Sequence, residues 1–110
     1  NEKELLKNIH TKKKLLNIFE KDINKTFQDY LRFYKIKKHT LGVKEVYIEM
    51  IFQLGIKKQR KFIKFNKHIL NKSFYMAAYE MKNSLWYKQT PKRVDLLINI
   101  LLKRGYEKKR

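Results

Sequence analysis

Apolar residues recur at helical spacing along nearly the whole chain, and residues 90–110 show the pattern most completely. Thr90 and Pro91 mark a helix start, because a threonine hydroxyl can cap a helix and proline fits its first position. Gly105 marks the end, where we expect a left-handed residue followed by Tyr106 folding back onto the helix. One face of this predicted helix is apolar and recurs every three or four residues: Val94, Leu97, Ile98, Leu101 and Leu102.

The first third of the chain also keeps a helical period. The apolar positions between Glu2 and Lys38 are Leu5, Ile9, Leu16, Phe19, Ile23, Phe27, Tyr30, Leu31 and Tyr34. They predict one long helix, with a possible interruption near Thr11 or Asp22. Lysines occupy the opposite face, which is interpreted either as a solvated surface or as a stripe that faces phosphates.

Three shorter helices are expected between these segments. After a break at 37–42, apolar residues at helical spacing predict a buried helix that ends at Gly55. A basic helix follows, with an apolar stripe that includes Phe65 or Asn66. Ser73 can cap the next helix, whose tyrosines and Trp86 are expected to pack in the core with a polar tip reaching a partner; base stacking is the alternative. The fold class is therefore all-α: a long N-terminal helix (1–40) followed by a compact bundle of about four helices (41–110).

The charge narrows the choice of partners. The chain has 110 residues and a net charge of +18, and lysines outnumber arginines 23 to 5. Such an excess of one sign favours an anionic partner such as nucleic acid or an acidic membrane surface. The 43% hydrophobic content is too high for a disordered basic tail. No apolar run is long enough to span a membrane.

The sequence lacks the residue arrangements that common catalytic and metal-binding sites require. There is no cysteine, and His10, His39 and His68 are far apart in basic surroundings. The sequence shows no Gly-rich phosphate loop, no Ser–His–Asp spacing and no pair of carboxylates on one face beside a base. It therefore predicts no catalytic residue, no metal, no cofactor and no small-molecule substrate.

Two stretches resemble a known family. KEVYIEMIFQLGIKKQRKF (Lys44 to Phe62) is similar to the helix, glycine turn and basic segment of the small-subunit ribosomal protein S thirteen family, and PKRVDLLINILLKRGY (Pro91 to Tyr106) is similar to its later helix. The chain departs from the family in keeping one glycine at the turn, Gly55, and in its tail beyond Tyr106. The resemblance implies a helix–two turns–helix core in a divergent mitochondrial form.

The resemblance also implies a function. The chain is expected to be a structural ribosomal protein and not an enzyme, with ribosomal RNA and neighbouring ribosomal proteins as partners, located in the mitochondrion or, alternatively, in the nucleus or cytoplasm. The side chains expected to contact RNA phosphates are Lys57, Lys58, Arg60, Lys61, Lys64, Lys92, Arg93, Lys103, Arg104, Lys108, Lys109 and Arg110. A DNA-binding helical module and a basic module that binds proteins or membranes are the alternatives.

Overall fold

The computed structural model describes residues 3, 4, 7, 9, 20–35 and 37–106, and every regular element in these residues is a helix. The seven helices are α1 (Glu20–Tyr34), α2 (Leu41–Leu54), α3 (Ile56–Arg60), α4 (Ile63–Leu70), α5 (Phe74–Lys82), α6 (Leu85–Gln89) and α7 (Pro91–Arg104). They form a compact globule, so the all-α prediction is confirmed.

Helix α2 lies at the centre of this globule. Every residue from Gly42 to Ile48 is buried, as are Met50 and Ile51. Helices α1, α3 and α7 all pack directly against it. An apolar face on one side would suit a surface helix, whereas burial all round identifies α2 as the core helix.

Both ends of α2 are fixed by hydrogen bonds. The Thr40 hydroxyl accepts a hydrogen bond from the backbone N–H of Val43 at 3.3 Å and donates one to the Gly105 carbonyl at 2.8 Å. Gly55 ends the helix, as predicted, with its N–H bonded to the carbonyl of Ile51. Its φ of +83° is a conformation that favours glycine.

Helix α7 confirms the predicted apolar face and corrects its two ends. Pro91 takes the first position. The Thr90 hydroxyl does not cap the helix, because it donates to the Trp86 carbonyl instead. Gly105 is right-handed, with φ −62° and ψ −31°. The Tyr106 ring packs edge-on against Phe74, with ring centroids 4.5 Å apart, instead of returning to α7.

The basic helix expected after Gly55 is two helices. The chain breaks at Lys61 and Phe62, between α3 and α4. A second break separates α5 from α6, where Ser84 caps α6 by accepting a hydrogen bond from the N–H of Tyr87. Ser73 precedes α5 as predicted, but its hydroxyl makes no capping bond.

The exposed face of α5 corrects another expectation. Tyr75 and Tyr79 were expected in the core, yet they are 71% and 58% exposed. Phe74, Ala77, Ala78 and Met81 supply the buried face of α5 instead.

Helix α1 runs through Asp22 without a break. Ile23, Phe27, Tyr30 and Tyr34 are buried in the core, and so is Ile9 further upstream.

Some predictions lie outside the described residues. They concern the possible interruption near Thr11, the apolar positions Leu5, Leu16 and Phe19, and the tail from 107 to 110. The division into an N-terminal extension (1–40) and a core (41–110) stays a prediction. None of the described helices combines the length and apolar character required to cross a bilayer.

Gly42 provides a test of the α2–α7 contact. A Cβ atom at this position would lie 2.6 Å from the backbone oxygen of Arg104 and 2.7 Å from its carbonyl carbon. Alanine normally stabilises a helix interior relative to glycine, but here the two backbones would have to separate. We expect Gly42→Ala to lower the free energy of unfolding by about 1–3 kcal/mol, measured by chemical denaturation.

Gln28→Ala, at an exposed position within α1, serves as the control and should change stability by less than about 0.5 kcal/mol. A Gly42→Ala variant more stable than the wild type would contradict the close approach of the two helices.

Candidate functional site

The described residues predicted to contact phosphate lie in the stretch 57–64 and at the two ends of α7. Lys57, Lys58 and Arg60 are on α3, Lys61 and Lys64 follow, and Lys92, Arg93 and Lys103 are near the ends of α7; all of these are exposed. The Arg60 guanidinium lies over the ring of Phe33, 4.0 Å from its centroid, which holds it in a cation–π contact. Lys108, Lys109 and Arg110 lie outside the described residues. A role for the exposed side chains in binding anions stays a prediction.

Arg104 already has an anionic partner within the protein. Its Nη1 donates to Oε2 of Glu45 at 3.0 Å, and Glu45 is only 4% exposed. Removing the arginine would leave a buried carboxylate without this charge, which is costly. The structure therefore gives Arg104 a part in joining α7 to α2.

One cleft lies beside α4 and α5 and has a volume of about 380 Å³. Its lining combines apolar rings with several kinds of polar group: Lys61, Phe62, Ile63, Lys64, Phe65, Glu80, Asn83 and Ser84. This volume lies within the range of about 300–1,000 Å³ that is usual for sites of small ligands. We call it the α4–α5 cleft.

Phe62 connects this cleft to a buried tryptophan. The rings of Phe62 and Trp86 meet edge to face, with centroids 6.2 Å apart. The indole Nε1 of Trp86 donates to Oε1 of Gln53 at 3.0 Å. Trp86 thus has the predicted combination of a buried ring and a polar tip with a partner, and the sequence had not identified Gln53 as that partner.

A second open cleft lies between α1 and α2 and has a volume of about 290 Å³. Asp29 and Thr26 line it from α1, and Phe52 lines it from α2. Asp29 accepts a hydrogen bond from the Lys25 ammonium at 3.0 Å. Among the residues that line these two clefts, Asp29 and Glu80 are the carboxylates, one in each.

Four side chains from four helices form a polar cluster that was not predicted: Tyr34, Tyr47, Gln59 and Asn66. The Tyr34 hydroxyl donates to Oε1 of Gln59, which is fully buried. The Gln59 amide nitrogen donates to Oδ1 of Asn66 at 2.9 Å, and the Tyr47 hydroxyl donates to the same oxygen at 2.7 Å. Asn66 had been weighed with Phe65 for an apolar stripe, and Gln59 carried no signal among its basic neighbours.

His39 packs on this cluster. Its Nδ1 is hydrogen-bonded to the Tyr30 hydroxyl at 2.8 Å, and its ring lies 4.7 Å from that of Tyr47, centroid to centroid. Burial, together with the positive charges of Lys44 and Lys37, lowers the pKa of His39 to about 4. Burial likewise raises the pKa values of Tyr34 and Tyr47 above 10. All three rings are therefore uncharged at neutral pH.

Within the part of the chain that the structure describes, no three His, Cys, Asp or Glu side chains form a group that could hold a metal ion. The side chains that line the clefts are amides, hydroxyls, single carboxylates, ammonium groups and aromatic rings. This mixture suits the recognition of a polar organic ligand.

Two curated proteins from Dictyostelium discoideum are similar to this chain. Probable T4-type lysozyme 1 is 33% identical over 88 residues, which cover 76% of this chain and 52% of that protein. Probable T4-type lysozyme 2 is 45% identical over 51 residues, which cover 46% of this chain and 30% of that protein. The chain thus spans about half the length of the first and less than a third of the second. No family model matches the chain. No solved structure matches it either.

These similarities contradict the resemblance to the ribosomal protein family. Three expectations are therefore wrong. They are the structural role in binding ribosomal RNA, the absence of enzymatic activity, and the set of partners, which was ribosomal RNA and ribosomal proteins without a small-molecule substrate. The error has a physical origin, because basic helices joined by glycine turns serve many proteins that bind anions. The alternatives of a DNA-binding module and of a basic interaction module gain no support from the relatives.

The low pKa of His39 leads to a prediction on stability. The native state holds a proton on His39 more weakly than the unfolded chain, whose histidine pKa is about 6.5. The stabilisation is therefore complete above about pH 6.5 and is lost as the pH falls toward 4. The variant His39→Gln keeps a hydrogen-bond partner for Tyr30 but cannot take up this proton. Between pH 7 and pH 5 we expect its free energy of unfolding to fall by about 2 kcal/mol less than that of the wild type, measured by urea unfolding.

Comparing His39→Gln with the wild type cancels the effect of carboxyl-group titration on stability, because both proteins carry the same carboxyl groups. Parallel loss of stability in both over this pH range would show that His39 is not buried in neutral form.

Proposed function

We propose that this chain is part of a lysozyme-like protein that binds and hydrolyses peptidoglycan, and that the α4–α5 cleft contacts the glycan. The observation that carries the proposal is the similarity to two proteins named as probable T4-type lysozymes, one of them 33% identical over 76% of this chain. Peptidoglycan is a polymer of amino sugars cross-linked by peptides, so its recognition requires hydrogen bonds to hydroxyl and amide groups as well as apolar contact.

The α4–α5 cleft offers both kinds of contact. Asn83 can donate and accept hydrogen bonds, and Glu80 carries a carboxylate at a half-buried position. Phe62 provides an aromatic edge that Trp86 holds in place. The positive charge of Lys61 and Lys64 suits the carboxylates of the peptide stems.

Hydrolysis adds a requirement that the cleft alone does not meet. Glycosidases use two carboxyl groups, about 5–5.5 Å apart in retaining enzymes and about 6.5–9.5 Å apart in inverting ones. Glu80 is the one carboxylate among the lining residues of this cleft. The reaction would therefore need a second carboxyl group from outside that lining, and we assign the cleft a role in binding.

Binding can be measured by sedimentation of the chain with insoluble peptidoglycan. We expect Asn83→Ala and Glu80→Ala each to weaken binding about fivefold, because each removes a hydrogen-bonding group worth about 1 kcal/mol. Asn99→Ala, at an exposed position on α7, should bind like the wild type. Salt of about 0.15 M keeps non-specific attraction by the +18 charge small, since the screening length is then about 8 Å.

Soluble oligomers of N-acetylglucosamine should displace the protein from peptidoglycan. If a polyanion such as heparin displaces the protein and the neutral sugar does not, the interaction with peptidoglycan is electrostatic only. That result would contradict glycan binding in the α4–α5 cleft. Release of new reducing ends tests hydrolysis separately. Binding without release would limit this chain to binding, and absence of both would reject the proposal.

A further inference from the structure

A smaller pocket lies apart from the two clefts, beside the polar cluster. Its volume is about 210 Å³, and it is lined by Tyr34 from α1, Tyr47 from α2, Asn66 from α4 and His39 from the α1–α2 connection. Two further lysines, Lys37 and Lys67, also line it. None of the residues that line the α4–α5 cleft lines this pocket.

The polar groups of the pocket are held in fixed orientations. Oδ1 of Asn66 accepts from both Tyr47 and Gln59, and Nδ2 of Asn66 donates to the Gln59 carbonyl at 3.3 Å. Gln59 is fully buried and in turn accepts from Tyr34. These hydrogen bonds within the cluster hold the tyrosine and Asn66 side chains in place before a ligand arrives, which lowers the entropic cost of binding.

The walls of the pocket are aromatic. The Tyr34 and Tyr47 rings lie edge to face at 4.8 Å, and the His39 ring lies 4.7 Å from Tyr47, measured between centroids. A cavity of about 150 Å³ already takes up benzene, so a pocket of about 210 Å³ has room for one ring with a small substituent.

The charge of the pocket is positive on one side. Lys37 and Lys67 are exposed, so their ammonium groups lie where the pocket meets solvent, and the residues that line the pocket include no carboxylate. A ligand with an anionic group would gain from this arrangement, whereas a cationic one would be repelled.

We propose that this pocket binds a small aromatic carboxylate, with its ring against His39, Leu70 and Tyr34 and its carboxylate near Lys37 and Lys67. The site is separate from the proposed glycan-binding cleft, and its occupancy does not depend on whether the protein acts on peptidoglycan. A neutral aromatic molecule lacks the charge, and a simple anion lacks the ring.

Binding is tested with three probes at the same ionic strength: benzoate, its neutral analogue benzamide, and acetate. In titrations of the 110-residue chain followed by NMR, we expect saturable shifts of the Tyr34, Tyr47 and Asn66 signals with benzoate. The affinity for benzoate should exceed that for benzamide or acetate about tenfold. Equal affinity for benzoate and benzamide would mean that the carboxylate plays no part in binding. Equal affinity for benzoate and acetate would mean that the aromatic ring plays no part. Either result overturns the proposal.

Variants at exposed positions keep the test independent of folding. Lys37→Gln combined with Lys67→Gln should weaken benzoate binding about tenfold and leave benzamide binding unchanged. Lys88→Gln, on α6 and outside the lining of the pocket, is the control of matched charge and should have no effect. Leu70→Trp should weaken both ligands, because Leu70 lines the pocket and is 63% exposed. Unchanged benzoate binding in the double lysine variant, or no saturable binding at all, would refute the site.

Discussion

The burial of α2 on all sides is the constraint on which the rest of the structure depends. Polar side chains on a helix surrounded in this way need partners, because an unpaired buried charge costs several kcal/mol. Glu45 meets this requirement through Arg104 on α7, and Tyr47 meets it through Asn66 on α4. The positions of α4 and α7 are therefore fixed by specific pairings as well as by apolar contact.

The sequence predicted those parts of the fold that depend on neighbours in the chain. The apolar faces of α2 and α7 follow from three- and four-residue spacing, and Gly55 ends α2 because local backbone geometry requires it. The break at Lys61 and Phe62 could not be predicted in this way. This break follows shortly after the buried Gln59, whose hydrogen-bond partner Tyr34 lies 25 residues earlier in the chain. A pairing over that distance leaves no mark in a local pattern.

The candidate site shows a similar division. The buried ring of Trp86 and its need for a polar partner followed from the chemistry of indole, but its partner Gln53 is 33 residues away and was not identified. The large positive charge drew attention to phosphate, although charge alone does not distinguish one polyanion from another. Arg104, assigned to RNA on that basis, pairs with a buried carboxylate of its own chain. The similarity to two probable T4-type lysozymes, which no local pattern of residues indicates, contradicts the ribosomal function.

The hydrogen bond from Thr40 to the Gly105 carbonyl joins residues 65 positions apart. It places the last described helix against the start of the central one, so the core cannot be completed before residue 105 has been synthesised. During synthesis the apolar surface of α2 is made well before α7, and in that interval it has no native partner on that side. Contacts of such long sequence separation slow folding, and the exposed apolar surface favours aggregation. The order in which the ribosome produces these helices thus gives the nascent protein a period of vulnerability that the finished fold no longer shows.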